Sequence, residues 1–274
     1  MTPKELQNTE EALLLQATAR YYYNKASNYD LVIWGIAIIL PTFKLVFPNA
    51  QFLTFLLVVG FIVSLFLEDT VEKKSNQASE YKLLFDKIVF GFETPANEKE
   101  RLIFKAEALK RNNLTFFTVQ MNGDGSSRGI KSWYNNLDSI KAFQNQYKES
   151  QVETSDYDSK ISKLLKILFV LVAVSFLSVL FIMNAGLNDT MMFAFVSFAT
   201  LTKKIIQTWK NLNKEVSIRN KVNKFLSKNS ITTEESYELL KLVDEKRKVL
   251  LPIKKFVYPA VHPVLEKYWT SLNG

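Results

Sequence analysis

Two long blocks of apolar residues, at 31–68 and 164–202, constrain the fold of this 274-residue chain more than any other feature. Apart from Glu68 at the end of the first block, only Lys44, Lys166 and Asp189 carry a full charge within them. A helix at the surface of a soluble protein keeps one polar face, whereas a helix in lipid is apolar all round. The blocks therefore predict helices within a membrane. The alternative is a soluble all-α bundle that buries two helical hairpins.

Each block divides at a short polar turn, which predicts four spans in two antiparallel hairpins. The segments are 31–47, 52–67, 164–183 and 187–202. Each is near the minimum length that crosses a hydrocarbon core about 30 Å thick. The turns at 48–51 and 184–189 contain no Lys or Arg, whereas residues 69–163 contain fifteen. Because positive charge stays on the cytoplasmic side, both termini and the middle segment are expected in the cytoplasm.

The expected fold class is an all-α integral membrane protein with two transmembrane hairpins and a mostly helical cytoplasmic domain. Residues 114–121, LTFFTVQM, have the composition of a strand, which leaves room for a small β element. The expected domains are a cytoplasmic helix at 1–29, hairpins at 30–68 and 164–202, a cytoplasmic domain at 69–163, and cytoplasmic helices at 203–274.

Helical patterns also extend the spans into the cytoplasmic parts. Residues 4–28 predict one helix that leads into the first span, and residues 68–90 predict a continuation of the second. After the fourth span, apolar residues recur at spacings of four, three and four. This 205–216 stripe consists of Ile205, Trp209, Leu212 and Val216. It is typical of a coiled-coil contact, either within one chain or between copies of it.

A second helix start is marked near the end of the chain by Thr232 and Glu235. Threonine followed three residues later by glutamate is the signature of a capping box, in which each side chain bonds the other residue's backbone N–H. The pair predicts a helix over 233–250. Three prolines beyond it, at 252, 259 and 263, exclude a long terminal helix.

Composition excludes several kinds of site. The chain has no cysteine, so it has no disulfide, zinc–thiolate site or thiol nucleophile, and its single histidine, His262, excludes a two-histidine metal site. No catalytic set, metal site or cofactor is predicted, and the phosphate-binding glycine motifs of nucleotide enzymes are missing. The net charge of +8 suits an anionic partner such as the inner leaflet of a membrane or a nucleotide.

The polar segment 122–134, NGDGSSRGIKSWY, offers a candidate ligand site. Glycine-rich backbone can cradle phosphate, cationic side chains add charge, and aromatic rings can stack on a base. The candidate residues are Ser126, Ser127, Arg128, Lys131, Trp133 and Tyr134. The other interpretation, which composition alone favours, is a solvent-exposed turn followed by a Trp and a Tyr that belong to the core.

The spans carry a few polar residues that are candidates for a pore or gate. These are Lys44, Ser64, Ser175, Ser178, Ser197 and Thr200. Lys44 lies close enough to a span end for its ammonium group to reach the interface, which is the favoured interpretation over a pore-lining one. The small hydroxyl residues either face water or allow helices to pack closely.

Three stretches together resemble the bacterial SMODS-associated four-transmembrane family of pore-forming effectors. The first is LLLQATARYYYNKAS at 13–27, before the first span. The second is FDKIVFG at 85–91, after the second span, and the third is GIKSWY at 129–134. Their order and spacing resemble the family over nearly the whole chain.

The resemblance implies a role in antiphage defence at the bacterial inner membrane. A SMODS-type nucleotidyltransferase would make a cyclic-nucleotide signal, and the four-span protein would bind it, form a homo-oligomer or open, and permeabilise the bilayer. No enzymatic activity and no nucleic-acid partner are expected. The alternative function is a membrane-anchored scaffold or sensor that recruits a cytoplasmic partner. A small transporter is less favoured, because the spans lack intramembrane charges and broken helices.

Overall fold

The computed structural model describes residues 1–47, 49–123, 129–134, 137, 142–182 and 187–249. Over this part of the chain every regular element is an α-helix. The helices are α1 (Pro3–Leu6), α2 (Glu10–Val46), α3 (Gln51–Val89), α4 (Ala96–Asn112), α5 (Leu114–Asn122), α6 (Phe143–Ile182), α7 (Leu187–Leu226) and α8 (Thr233–Lys248). Each of the four predicted spans lies almost entirely within one of the long helices α2, α3, α6 and α7.

The chain forms two compact units, and each of the four long helices contributes to both. Unit 1 consists of Met1–Lys25, Lys73–Asp156 and Ser217–Val249. The described part of unit 2 consists of residues 26–47, 49–72, 157–182 and 187–216. Unit 1 therefore contains α1, α4, α5 and α8 together with one end of each long helix.

The predicted helix at 4–28 is wrong in one respect, because it is interrupted between Leu6 and Glu10. Thr2 caps α1 with a reciprocal bond to Glu5, and Pro3 occupies its first turn. The hydroxyl oxygen of Thr9 then accepts a hydrogen bond from the N–H of Ala12, which caps α2. From there α2 continues without a break through the first predicted span, as expected.

Helix α3 also continues past its span, and it ends at a glycine. Gly91 adopts φ +67°, a left-handed conformation that glycine takes without steric cost. The N–H of Phe92 donates to the carbonyl oxygen of Lys87 at 2.9 Å, which closes a Schellman motif. The predicted extension over 68–90 is thus confirmed, and the FDKIVFG stretch forms the last turns and the end of α3.

The predicted strand character of residues 114–121 is wrong, because these residues form α5. The structure contains no strand among its described residues. Strand propensity mostly measures how well a side chain packs on a pleated surface, and no neighbouring strand is available here. Instead, Phe117 is fully buried and its ring lies near that of Tyr21, which a helix allows at the 3.6-residue period.

The capping box at Thr232 is confirmed. The Thr232 hydroxyl oxygen accepts from the N–H of Glu235 at 3.3 Å, and the N–H of Thr232 donates to the Glu235 carboxylate at 3.0 Å. Helix α8 begins at Thr233, as predicted, and ends at Lys248 within two residues of the predicted end.

The core of unit 1 is organised around the first half of α2. Residues 12–19, which read ALLLQATA, are all buried, so this helix is covered on every face. Aromatic residues of α3, α6 and the loop after α5 complete the core, and the most completely buried are Phe85 and Tyr147. Gln16 is the notable polar residue in this run of α2, and it is 4% exposed.

On α7 the 205–216 stripe is shifted in register from the prediction. Leu212 is fully buried, but Trp209 is 38% exposed. Between residues 201 and 216, the buried positions of α7 are Leu201, Lys204, Thr208, Leu212 and Glu215. Polar side chains can occupy this line because they find partners inside the unit, which apolar periodicity cannot reveal.

Unit 2 places many apolar side chains on its surface. Among the described residues, α2 and α3 each contain a stretch long and apolar enough to cross a membrane, and most of each stretch is not buried in the protein. The two helices approach closely at Gly60. A Cβ atom there would lie 2.7 Å from Cδ1 of Leu40 and 2.9 Å from Cγ2 of Ile36. A small residue at this point permits close packing of hairpin helices.

Candidate functional site

The three stretches that carry the family resemblance meet inside unit 1. Residues 129–134, called here the docked segment, lie against the start of α2. The side-chain amide of Gln7 accepts from the N–H of Tyr134 at 2.9 Å and donates to its carbonyl oxygen at 3.2 Å. Asn8 accepts from the N–H of Ser132 at 2.8 Å, and Arg20 donates to the carbonyl oxygen of Gly129 at 3.1 Å.

These contacts explain the interruption between α1 and α2. Gln7 and Asn8 lie in the non-helical turn, where their side chains are free to bind the backbone of the docked segment. They act as a neighbouring strand would, by satisfying backbone groups that would otherwise be buried without partners. Ser132 adopts φ 52°, which is rare for a residue other than glycine. The docked segment is thus held in a conformation that its own sequence does not favour.

Asp86 of α3 lies at the centre of the site and is fully buried. Its Oδ1 accepts a hydrogen bond of 2.7 Å from the Tyr134 hydroxyl, and its Oδ2 lies 2.7 Å from Nη1 of Arg247 in α8. The ammonium group of Lys82 lies 3.8 Å from Oδ1. The carboxylate of Asp86 therefore faces two cations and accepts a hydrogen bond from a phenol.

Lys82 lies one turn before Asp86 and is enclosed by aromatic rings. Its Nζ donates to Oε1 of Gln16 at 2.8 Å. The same nitrogen lies 4.1 Å from the ring centroid of Phe85, 5.0 Å from that of Tyr134 and 5.1 Å from that of Trp133. Rings at these distances attract a cation through their negative faces.

Burial and neighbouring charge shift the ionisation of this cluster. Burial lowers the pKa of Lys82 to about 7, with Asp86 opposing that shift and Arg247 adding to it. Burial, together with the charge of Asp86, raises the pKa of Tyr134 well above its ordinary value. Burial by itself lowers the pKa of Arg247, but Asp86 and the neighbouring tyrosines together outweigh burial and raise it. Lys82 is therefore the member whose charge is least secure near neutral pH.

A second buried carboxylate, Asp244 of α8, lies beside this cluster. Its Oδ1 accepts from the Ser79 hydroxyl at 2.6 Å, and its Oδ2 lies 2.6 Å from Nζ of Lys248. The hydroxyl of Tyr147, which is fully buried, has no hydrogen-bond partner among the described residues. The interior of unit 1 thus contains several polar groups. The charge of Asp244 is stabilised by Ser79 and Lys248.

The structure separates the candidate ligand residues of the sequence. Lys131 and Trp133 are exposed on the docked segment, whereas Tyr134 is buried with its hydroxyl on Asp86. Ser126, Ser127 and Arg128 lie outside the described residues. Sequence reasoning missed the residues that converge on Tyr134. These are Gln7, Gln16, Lys82, Asp86 and Arg247.

The candidate pore residues belong to unit 2. Lys44 is 7% exposed and its Nζ donates to the carbonyl oxygen of Ala50 at 3.1 Å, across the turn between α2 and α3. Ser64 is fully buried and bonds the carbonyl oxygen of Phe61 in its own helix at 2.6 Å. Thr200 is also buried. The side chains of Ser175, Ser178 and Ser197 lie outside the described part.

Ion pairs at the ends of the predicted spans form a second polar feature of unit 2. Asp30, just before the first span, pairs with Lys204, and both side chains are almost fully buried. Glu68, just after the second span, pairs with Lys203. Both lysines directly follow the fourth span. The pairs join α2 and α3 to α7 at positions where charge interrupts the apolar blocks.

No group of residues that could hold a metal ion occurs in the described part of the chain. A family model described as the SMODS-associating 4TM effector domain matches residues 4–249. This range contains both units of the described chain, the docked segment and all four predicted spans. No curated protein and no solved structure matches the chain.

Proposed function

Because the chain belongs to the SMODS-associating four-transmembrane effector family, we propose that a cyclic-nucleotide signal activates it to permeabilise the bacterial inner membrane in antiphage defence. An associated SMODS-type nucleotidyltransferase supplies the signal. At rest, the cytoplasmic part holds the hairpins closed or monomeric. Four helices are too few to enclose a wide aqueous path, so the active form is a homo-oligomer.

The observation that carries this proposal is the apolar surface of unit 2. Ile39 is 54% exposed, Phe52 67% and Phe66 73%. Water would disfavour so many exposed apolar side chains in contiguous helical stretches, whereas lipid accommodates them. This surface supports insertion of the first hairpin, formed by α2 and α3, in the bilayer, which is the step that a membrane effector requires first.

The ion pairs of unit 2 support one orientation for both hairpins. Asp30, Glu68, Lys203 and Lys204 flank three of the four predicted spans at their cytoplasmic ends. Their pairing brings those three ends to one level, as expected if the two short turns share the opposite side. We therefore propose four spans with both termini in the cytoplasm.

The ligand site is proposed on the docked segment. Trp133 offers an exposed ring for stacking and Lys131 an exposed charge, and Ser126, Ser127 and Arg128 extend the same polar stretch in sequence. Tyr134 anchors the segment to Asp86 and acts as a positioning residue. A ligand that displaces the docked segment would also move Tyr134 and so disturb its hydrogen bond to Asp86. Asp86 belongs to α3, the helix that also contains the second predicted span.

A leakage assay tests the proposed function. The full-length chain is reconstituted in liposomes loaded with a self-quenched dye, and purified cyclic di- and trinucleotides are added one at a time. We expect dye release with one of them and little release without a ligand. Protein-free liposomes provide the control. Absence of release with every cyclic nucleotide, at all protein-to-lipid ratios, would contradict the proposal.

A scaffold function is the second candidate, and exposed apolar residues of unit 1 favour it. Phe104 of α4 is 70% exposed and Leu114 of α5 is 61% exposed. Such side chains on the water-facing unit are typical of protein contacts. Under this hypothesis, no ligand causes leakage with the unaltered chain. The Phe104→Ser and Leu114→Ser variants then lose a bound partner in pull-down experiments and likewise cause no leakage.

A further inference from the structure

Among the described residues, the charges of the buried cluster in unit 1 do not balance. Lys82 and Arg247 are both cations, and Asp86 is the carboxylate that faces them. Asp244, a second buried carboxylate, is already paired with Lys248 and Ser79. The distance to the carboxylate of Asp86 is 2.7 Å from Arg247 and 3.8 Å from Lys82. One positive charge in excess therefore remains on the side of Lys82.

Lys82 has no carboxylate of its own among the described residues, and its closest partners are weaker ones. These are the neutral Gln16 amide and the faces of three aromatic rings. A buried cation stabilised in this way remains attractive to any anion that can reach it, because low-dielectric surroundings strengthen the charge interaction.

Trp133 is the exposed member of the three rings around Lys82. Trp133 is 45% exposed, whereas Phe85 and Tyr134 are buried. Trp133 belongs to the docked segment, which is not part of a helix. Two backbone hydrogen bonds join residues 130 and 131 to the end of α5, whereas Ser132 and Tyr134, on either side of Trp133, are bonded by the side chains of Asn8 and Gln7. The strained φ of Ser132, the residue before Trp133, favours release of this segment. A small movement of the indole would uncover the ammonium group.

We propose that Lys82 and Trp133 form a phosphate subsite, in which a phosphodiester group takes Lys82 as its counter-ion while the attached base stacks on Trp133. This inference rests on the proposed function and names the part of the site that recognises the anion. A phosphodiester carries one negative charge, which matches the single excess cation of the cluster. Aromatic stacking suits a nucleobase, so the ligand class is a cyclic oligonucleotide rather than a free carboxylate.

Proton uptake is a specific consequence of this site. Lys82 is partly neutral near pH 7, and an anion beside it favours the protonated form. The other groups that face it are Asp86 on its own helix, Arg247 on α8 and Tyr134 on the docked segment, while α2 contributes the uncharged Gln16. At about pH 7.5, ligand binding should therefore take up protons, and binding should strengthen as the pH falls from 8 to 6.5.

The test uses the full-length chain in lipid nanodiscs, with calorimetric titration in buffers of different ionisation enthalpy. The probes are 3′,3′-cyclic GMP–AMP, cyclic di-AMP, cyclic triadenylate and inorganic pyrophosphate. The variant is Lys82→Met, which keeps the side-chain length without charge, and the matched control is Lys105→Met at an exposed position of α4. We expect a tenfold or greater loss of affinity and loss of proton uptake for Lys82→Met, and no change for Lys105→Met.

A melting curve of each variant shows whether it folds, and Trp133→Phe, which keeps a stacking face, should lose less affinity than Trp133→Ala. If Lys82→Met binds and leaks like the unaltered chain, the subsite is overturned while the proposed function stands. If no cyclic nucleotide binds but pyrophosphate raises the melting temperature of the unaltered chain and not of Lys82→Met, the anion subsite stands and the nucleotide assignment falls. If pyrophosphate also has no effect, the subsite is overturned.

Discussion

The two units of this chain use the same apolar residue types in opposite ways. In unit 1, Leu14, Leu15 and Phe85 are buried to within 1% of their surface. In unit 2, Phe52 and Phe66 expose most of theirs, although they lie in a longer and more apolar run of sequence. The difference shows that apolar content alone does not place a residue inside a protein. What matters is whether the surrounding solvent is water or lipid.

Both units nevertheless bury charge, and they do so by different rules. In unit 2 the buried Asp30 pairs one to one with Lys204. Unit 1 shares a single carboxylate, Asp86, between Lys82 and Arg247. One-to-one pairing lowers the cost of a buried charge, whereas in unit 1 two cations share one carboxylate. The comparison therefore contrasts a structural ion pair with the cluster that we propose as a ligand site.

The largest expected effect comes from neutralising the shared carboxylate. Asp86→Asn leaves two buried cations without a counter-ion, so unit 1 should lose about 3–5 kcal/mol of stability. Thermal unfolding in detergent, followed by circular dichroism, measures this loss. Glu238→Gln, at an exposed position of α8, is the control and should change stability by less than about 0.5 kcal/mol. Equal melting temperatures for both variants would show that Asp86 is not the centre of the cluster.

Breaking the one-to-one pair of unit 2 should have a somewhat smaller effect. Asp30→Lys places two cations together and should cost about 2–3 kcal/mol, since the long side chains can move their charges toward water. Exchanging the charges in the double variant Asp30→Lys with Lys204→Asp should recover at least half of this loss. Stability is measured in nanodiscs, where lipid surrounds unit 2. Simple addition of the two single effects would mean that the pair contributes nothing.

Replacing the surplus cation of unit 1 should stabilise the protein or leave it unchanged. Lys82→Met removes a desolvated charge, and we expect a gain between zero and about 2 kcal/mol at pH 6. The folded pKa of about 7 lies below that of an unfolded lysine, so the folded state binds fewer protons between about pH 7 and 10.5. The cost of Lys82 is thus complete below pH 7 and declines as the pH rises.

The measurement for this variant is the melting temperature from pH 6 to pH 10. The advantage of Lys82→Met over the unaltered chain should shrink across that range. A gain that stays constant with pH would mean that loss of the ammonium charge is not its cause, and a large loss of stability would show that Lys82 is a structural residue like its counterparts in unit 2.

The smallest effect is expected at the capping box of α8, which tests ordinary helix chemistry outside both charge arrangements. Thr232→Ala removes the side-chain acceptor for the Glu235 N–H and should cost about 1 kcal/mol. The neighbouring variant Thr233→Ala, inside the helix, should cost less. Chemical denaturation of the two variants provides the comparison. A cost for Thr233→Ala equal to that for Thr232→Ala would contradict a specific capping role.

The sequence predicted the features of this molecule that depend on local pattern. The long helices follow from the apolar blocks, and the start of α8 follows from Thr232 and Glu235, because each signal lies within a few residues. The strand expected at 114–121 failed because its propensity reflects neighbours that only the tertiary structure supplies. The break at Gln7 and Asn8 was missed for the same reason, since it serves a segment more than 120 residues away.

The candidate site was predictable only in part. Trp133 and Tyr134 were identified from their residue types, but their different burial depends on Asp86. The convergence of Gln16, Lys82 and Arg247 could not be derived, because no spacing rule relates positions so far apart in the chain. Asp30, Glu68, Lys203 and Lys204 did carry a visible signal, since each adjoins the end of an apolar block and opposite signs face one another across the hairpins.

Gly60 determines how closely the two helices of the first hairpin pack. The absence of a side chain sets how near α2 and α3 can come, since even a methyl group would overlap Leu40 and Ile36. Alanine or valine at this position would therefore act as a graded spacer, widening the hairpin step by step without altering charge, length or the surface that lipids contact. Interhelical separation in this protein can thus be adjusted at a single residue.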